Sequence, residues 1–297
     1  MFTPEQFAAN YQMNFSKLIG KGHDSTVFLT MNKSTKQQFA LKCLAQTNEQ
    51  NAINLFVIII SYFQENEIQI LRHIQHPHII TMIGYCSDCS CMLLELMSNG
   101  SLYKILLQGP LPLAIANGII LQIAQALQYL HAKGITHGDI KLDNLLISGD
   151  FIVKLCDFGF AKINGQAPIP KTTVSGSEGY TAPEIWNTPS DLKKCDMFSL
   201  GVVYFIMVTG HPPFESNNPQ TEDAWWKLIQ KEEWNVFWKE LKLTILPEYV
   251  RTIIQKLLCV KFQMRYSADE LIQLLADKSA TSDQIVDEIK KRLTQQK

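Results

Sequence analysis

The sequence has no excess of charge of either sign: 27 Lys and Arg stand against 28 Asp and Glu in 297 residues, a formal net charge of -1. A dedicated nucleic-acid binder or polybasic membrane binder needs a clear cationic surplus, so the balance argues against both. Long apolar runs are missing too. The longest, around Ala52 to Ile60 and Met197 to Val208, fall short of the roughly 18 residues a bilayer crossing requires. Met1 to Phe15 has neither the basic start nor the continuous apolar stretch of a secretory signal. Cysteine is sparse and odd in number: Cys43, Cys86, Cys89, Cys91, Cys156, Cys195 and Cys259 are too few for a disulfide framework in a chain of this length. That points to a reducing compartment, cytoplasmic or nuclear. There is no internal repeat and no low-complexity tract. What remains, 46% hydrophobic and 19% charged residues, describes an ordinary folded chain, long enough for one large domain or two lobes without a structural metal.

The pattern changes along the chain. From Asn14 to about Glu95, short β-rich runs such as Phe28 to Met31, Phe39 to Leu44 and Met92 to Leu96 are punctuated by turn residues. From Ser101 onward helical periodicity takes over. Leu113, Ala116, Ile120, Ile123, Leu127 and Leu130 follow Pro112 at helical spacing and are closed by Lys133 and Gly134, which predicts one long amphipathic helix. Met197 to Val208, bounded by Asp196 and Gly210, is apolar on every side and predicts a helix buried all round. Beyond Lys278 the composition turns polar, with a short helix expected from Ser282 to Leu293 on a peripheral tail.

Four sequence elements carry chemistry. Gly20-Lys21-Gly22 lies in a turn between Ile19 and Val27. Glycines let backbone N–H groups approach phosphate oxygens without a Cβ in the way, although alone the pair fits a plain hairpin better. Phe39-Ala40-Leu41-Lys42, on the next apolar strand, sets an ammonium behind that turn. His137-Gly138-Asp139-Ile140-Lys141-Leu142-Asp143-Asn144, before the apolar Leu145-Leu146-Ile147, gathers a carboxylate, an ammonium and an amide in one turn. Asp157-Phe158-Gly159 follows the apolar run Phe151 to Cys156 and places an acid at a strand end. Carboxylate and amide oxygens are hard ligands suited to Mg²⁺. Together the four make a phosphoryl-transfer site.

In this order and spacing the motifs resemble the protein kinase family, from about Phe15 to Ala276. Ala182-Pro183-Glu184, Asp196 to Gly201 and Arg265 extend the resemblance. It implies an α+β, two-lobed kinase fold: a lead-in over residues 1–14, a small β-rich N-lobe with one key helix over about 15–96, a larger mainly helical C-lobe over about 97–278, and a polar tail over 279–297. It further implies that Lys42 contacts the α- and β-phosphates of ATP and pairs with Glu67, with Glu65 as the fallback. Asp139 orients the substrate hydroxyl or accepts its proton, Lys141 neutralises the moving phosphoryl group, and Asn144 and Asp157 hold Mg²⁺. Ile19, Gly20, Gly22, Val27, Ala40 and Leu146 would enclose the nucleotide, Leu94 would stand as gatekeeper, and Glu95 and Met97 would offer backbone groups to adenine. Lys141 and the segment Gly176-Ser177-Glu178-Gly179-Tyr180 look like the serine/threonine branch, with Ser177 against Asp139 and Lys141, and Glu184 paired with Arg265. The implied partner is a protein substrate with a Ser or Thr acceptor; neither nucleic acid nor a membrane span is expected.

The chain departs from the family pattern in three places. Ser25 stands at the third glycine; if that position needs a positive φ, it costs on the order of 1–2 kcal/mol. Gly138 replaces the arginine that clamps a phosphorylated loop, so activity is expected to depend little on phosphorylation of Thr173 or its neighbours Thr172 and Ser175. The 25 positions from Lys42 to Glu67 are more than the family usually has, and three readings of the apolar stretch 52–63 compete: a packed insertion, a docking surface for a regulatory partner, or an error in the translated gene. His73, His76 and His78 with Cys86, Cys89 and Cys91 lack the second pair of a zinc array. Trp225, Trp226, Trp234, Phe237 and Trp238 read as packing between helices. A serine/threonine kinase is therefore expected; its rivals are a pseudokinase serving as a nucleotide-binding scaffold and a small-molecule kinase of the same fold.

Overall fold

Period-two alternation in the first hundred residues builds an antiparallel sheet, and the 3.6-residue period beyond builds helices. The chain accordingly divides into two units, Met1–Ser98 and Asn99–Lys297. The computed structural model describes residues 1–21, 25–44, 65–86, 90–163, 177–186, 191–216 and 222–295. Gly22, the 52–63 stretch, Cys89, Thr172, Thr173, Ser175 and Gly176 lie outside the described residues.

In the first unit, β1 (Tyr11–Lys21), β2 (Ser25–Asn32), β3 (Gln38–Leu44), β4 (Met82–Cys86) and β5 (Cys91–Glu95) form one sheet in the order β1-β2-β3-β5-β4. Alternation on β3 sends Phe39 and Leu41 into a cluster with Phe7, Tyr11 and Leu93, which leaves Ala40 and Lys42 for the other face. A helical segment, α2, covers residues 65–71. Ser25 opens β2 opposite Leu44 and is not among the residues at positive φ, so the penalty considered for it does not arise.

The lead-in is part of the fold. Thr3 caps α1 (Pro4–Asn10) through a reciprocal box with Gln6, and Pro4 supplies a preset φ at the helix start. Phe7 stacks on Tyr11 at 5.0 Å, and Phe2 N–H donates to the Tyr85 carbonyl at 2.8 Å. The sheet begins at Tyr11, ahead of the expected boundary, because these aromatic residues close its outer face.

The second unit is built on α4 (Leu113–Ala132) and α5 (Leu192–Thr209). Around them lie α3 (Leu102–Leu106), α6 (Ala224–Gln230), α7 (Trp234–Glu240), α8 (Glu248–Leu257), α9 (Ala268–Leu275) and α10 (Ser282–Thr294). Two short ribbons pair β6 (Ile135–Thr136) with β9 (Lys162–Ile163), and β7 (Leu145–Ile147) with β8 (Val153–Leu155). Helix α4 is long and apolar enough to cross a membrane by composition, yet Ile119, Ile120, Ile123 and Leu127 are buried inside this unit, so it is a core helix. Helix α5 starts at Leu192, four residues before the expected Asp196. Asp191 caps it by accepting from Lys193 N–H and Lys194 N–H, and Gly210, at φ 83, ends it. The five aromatic residues pack among helices as expected: Trp234 stacks on Trp238 at 5.9 Å, and Trp226 is buried.

The expected peripheral tail needs correction. Ile285 and Ile289 of α10 are buried, and Gly118 of α4 admits the approach, since a Cβ there would meet Ile285 Cδ1 at 2.6 Å. Arg292 donates to the carbonyls of Gly109 and Pro110, each at 2.7 Å. Those carbonyls belong to the turn between α3 and α4, so α10 closes that turn.

Candidate active site

In the first unit, the alternation that sends Leu41 outward puts Lys42 on the inner face, with Val27 and Met92 as its neighbours across the ladder. Its ammonium donates to Glu67 Oε2 at 2.7 Å and Oε1 at 3.0 Å. Glu67 on α2 is 3% exposed whereas Glu65 lies in solvent, so Glu67 and not the fallback is the partner. A charge pair this sequestered is bidentate, the geometry in which attraction offsets desolvation. Ala40 and Leu94 are buried on the same sheet. Glu95 N–H donates to the Thr81 carbonyl at 3.0 Å, and its carboxylate accepts from Thr81 N–H at 2.7 Å, so this N–H is already committed. Met97 is half-buried and Ile19 exposed; Gly20 pairs with Val27 at the end of β1.

In the second unit, the loop after β6 is held from beneath. Asp196, buried in α5, accepts from His137 N–H and Gly138 N–H, each at 2.9 Å, and lies 2.9 Å from His131 Nε2. Asp139 N–H donates to His137 Nδ1 at 3.2 Å, and His137 Nε2 faces the Cys156 carbonyl at 3.1 Å. One nitrogen accepts and the other meets an acceptor, which fixes the neutral tautomer with the proton on Nε2. Burial also pushes the His137 pKa below its ordinary value, outweighing the nearby carboxylates of Asp196, Asp139 and Asp157. Gly138 sits at φ 79, and a Cβ there would meet the Phe160 carbonyl oxygen at 2.7 Å, so this turn is shaped to glycine.

On that base both oxygens of the Asp139 carboxylate are positioned by partners, and Oδ1 keeps a lone pair to spare. Oδ1 accepts from the Ser177 hydroxyl at 3.0 Å; Oδ2 accepts from Asn144 Nδ2 at 2.9 Å and lies 2.8 Å from Lys141 Nζ. Lys141 also donates to Ser177 Oγ at 2.7 Å. Asn144 Nδ2 makes a second bond to the Asp139 carbonyl, 2.8 Å. With the amide nitrogen used twice, the amide oxygen faces the other way. Leu145 pairs with Leu155, and Cys156 N–H donates to the Asn144 carbonyl at 2.9 Å, which brings Asn144 and Asp157 to the same end of the β7–β8 ribbon. Asp157 adopts φ 65, a conformation uncommon outside glycine, though aspartate takes it more readily than most residues. Leu146 is half-buried in β7. An amide oxygen and a carboxylate are hard donors, and two of them fit Mg²⁺, which draws its remaining ligands from water and phosphate.

Ser177 stands where the sequence placed it, and the Glu184–Arg265 pair forms. Arg265 donates through Nη2 to Glu184 Oε2 at 2.7 Å and through Nη1 to Oε1 at 2.5 Å. Arg265 is 1% exposed, which excludes a loose surface contact. The Asp196 anchor is what sequence reasoning missed. An acid inside an otherwise apolar helix signals a buried charge in need of partners, but which loop supplies them is a matter of tertiary structure. Among the described residues no cluster of three or more metal-ligating side chains occurs. Cys43, Cys91, Cys156, Cys195 and Cys259 are thiols, while Cys86 is disulfide-bonded, an exception to the expectation of reduced cysteines.

The protein kinase domain family model matches residues 13–275. Over 289 residues the chain is 30% identical to myosin light chain kinase A of Dictyostelium discoideum, covering 93% of this chain and 91% of that protein. It is 36% identical over 212 residues to a probable myosin light chain kinase of the same organism, covering 68% of this chain and 64% of the relative. To an Aurora kinase of Saccharomyces cerevisiae it is 36% identical over 208 residues, 69% of this chain and 55% of that protein. It therefore spans less than two thirds of the length of two of these three relatives.

Proposed function

This chain belongs to the protein kinase family, and from that premise we propose that it transfers the γ-phosphoryl group of ATP to serine and threonine hydroxyls of protein substrates. The observation that carries the reading is the Asp139 carboxylate, held by Asn144 and Lys141 and already accepting a hydroxyl hydrogen from Ser177. A carboxylate that receives one hydroxyl in this way can receive another from a substrate.

In this reading Asp139 orients the acceptor hydroxyl and takes its proton as the new phosphate ester bond forms. Lys141, bonded to both Asp139 and Ser177, offsets negative charge on the transferred group. Glu67 aims the Lys42 ammonium at the α- and β-phosphates. Asn144 and Asp157 are the residues that would hold Mg²⁺, which when bound supplies charge neutralisation to the phosphates. Ile19, Gly20, Val27, Ala40, Leu146 and backbone groups of Glu95 and Met97 serve the nucleotide. Positioning and electrostatics do the work, because the phosphoryl group needs little covalent help from the protein.

A catalytically silent scaffold has no use for a lysine, an aspartate and an asparagine each fixed by a partner, and that engagement supports the enzyme reading. Gly138 supports a loop whose geometry comes from Asp196 and not from an arginine–phosphate clamp, so activity depends little on phosphorylation around Thr173.

The test is phosphotransfer from Mg²⁺-ATP to a generic basic protein, comparing wild type with Asp139→Asn and Lys42→Met. Removing the carboxylate base lowers turnover by about 10²–10⁴-fold while the melting temperature holds. Incorporation that is unchanged in both variants overturns the proposal.

A further inference from the structure

Three cysteines line up across neighbouring strands of the first sheet. Cys43 on β3 stands opposite Cys91 on β5, and Cys86 on β4 stands opposite Cys91 on its other side. Cys43 and Cys91 are thiols whose sulfurs lie 2.8 Å apart. Both are half-buried at the rim of the aromatic cluster that contains Phe7, Tyr11 and Phe39, so small solutes reach them. Residues opposed in an antiparallel pair hold their Cα atoms about 4.5–5.5 Å apart, inside the roughly 4.4–6.8 Å span that a disulfide bridges. Joining them needs a small closure of the side chains and no change of register.

We propose that Cys43 and Cys91 form a reversible disulfide, a redox modification site that fastens the strand bearing Lys42 to β5. Alternation puts Cys43 on the sheet face opposite Lys42, so the bond forms away from the ammonium and leaves the Lys42–Glu67 pair intact. The two cysteines are 48 positions apart, and Glu67 lies between them. The cross-link therefore closes the whole stretch that carries the partner of Lys42, and a closed loop of that length removes many conformations from the unfolded chain.

The chemistry needs an oxidant such as hydrogen peroxide. The two sulfurs share one proton across their 2.8 Å contact, which favours a thiolate on one of them, and either, Cys91 for example, can attack. The Cys91 thiolate attacks one peroxide oxygen, the O–O bond breaks, and the departing hydroxide takes a proton to become water, leaving a sulfenic acid on Cys91. The Cys43 sulfur then displaces the sulfenic hydroxyl, which leaves with the Cys43 proton as a second water. Two thiols have lost two electrons, and peroxide has been reduced to two waters. A thiol reductant reverses the bond, in keeping with the transient disulfides of reducing compartments.

The experiment treats the full chain with graded hydrogen peroxide, blocks remaining thiols by alkylation, and maps peptides without reduction beside a thermal unfolding curve. The expected result is a linked Cys43–Cys91 peptide pair, two hydrogens lighter than the free peptides, and a melting temperature raised by about 5 °C or more. Dithiothreitol abolishes both, and Cys43→Ser and Cys91→Ser each lack both. Absence of the linked pair in the wild type overturns the proposal. So does linkage of Cys91 to Cys86 instead, by exchange with the disulfide that Cys86 already makes, or a rise in melting temperature that survives in both serine variants.

Discussion

The charged groups of the two units are held by different means. Lys42 and Glu67 depend on each other: one bidentate contact joins a central strand to the helical segment over residues 65–71. Asp139 sits on a loop whose own backbone is bonded to a helix, because Asp196 takes the N–H groups of His137 and Gly138 from inside α5. In the first case geometry rests on an ion pair, and in the second on the core. Damage to the pair should therefore be local and functional, whereas damage beneath the loop should reach both folding and turnover.

The sharpest way to break that contrast is Asp196→Ala. It strands two buried N–H groups and removes the partner of His131, and at about 1–3 kcal/mol for each buried group left unsatisfied the loss of unfolding free energy comes to about 3–5 kcal/mol. Denaturant unfolding and phosphotransfer should fall together; turnover lost at undiminished stability would mean that the loop is not anchored through α5. Gly138→Ala comes next. Its Cβ would press on the Phe160 carbonyl at φ 79, costing about 2–3 kcal/mol between conformational strain and overpacking. Wild-type stability in that variant would show that the turn relaxes freely. Glu67→Gln keeps a hydrogen bond to Lys42 but removes the countercharge, so the stability cost should be about 1.5–2 kcal/mol, the low end for a charged hydrogen bond, while the KM for ATP rises and turnover drops. A large unfolding effect there would erase the difference between the units.

The smallest effect is a pH dependence. Burial holds the His137 pKa below its ordinary 6.5, so at mildly acidic pH the unfolded chain binds a proton that the folded protein refuses. The stability contributed by the neutral imidazole is complete above 6.5 and declines as pH falls below it toward the depressed folded pKa. His137→Phe should flatten this part of the curve, read as the difference in slope between the two proteins over pH 6.5 to 5.5. An identical slope in both would place the titration elsewhere.

Much of this was legible in the sequence, because the residues that carry chemistry follow local rules. The apolar run Phe39-Ala40-Leu41-Lys42 puts the lysine on the strand behind the glycine turn, and the apolar runs flanking Asn144 and Asp157 set both at strand ends. What stayed hidden depends on encounters between distant segments. The role of Asp196 requires knowing that the loop after β6 returns over α5. The start of α5 was placed late because the apolar run begins at Met197, whereas the helix itself is opened by the Asp191 cap. At the C-terminal end polar composition concealed an ordered element, and at the N-terminal end the packing of Phe2, Phe7 and Tyr11 is a tertiary contact that no local rule reveals. Yet the capping boxes at Thr3 and Gln6 and at Thr281 and Gln284, and the spacing of Ile285, Ile289 and Arg292, were visible signs of α1 and α10.

Helix α10 also separates two boundaries that are easily confused. The kinase family model matches the chain as far as residue 275, but the carbonyls of Gly109 and Pro110 rely on Arg292, seventeen residues later. A chain cut at that residue would bare the flank of α4 at Gly118 and leave those oxygens to water. In this protein the segment that the family pattern covers and the segment that must be made together to stay folded have different lengths.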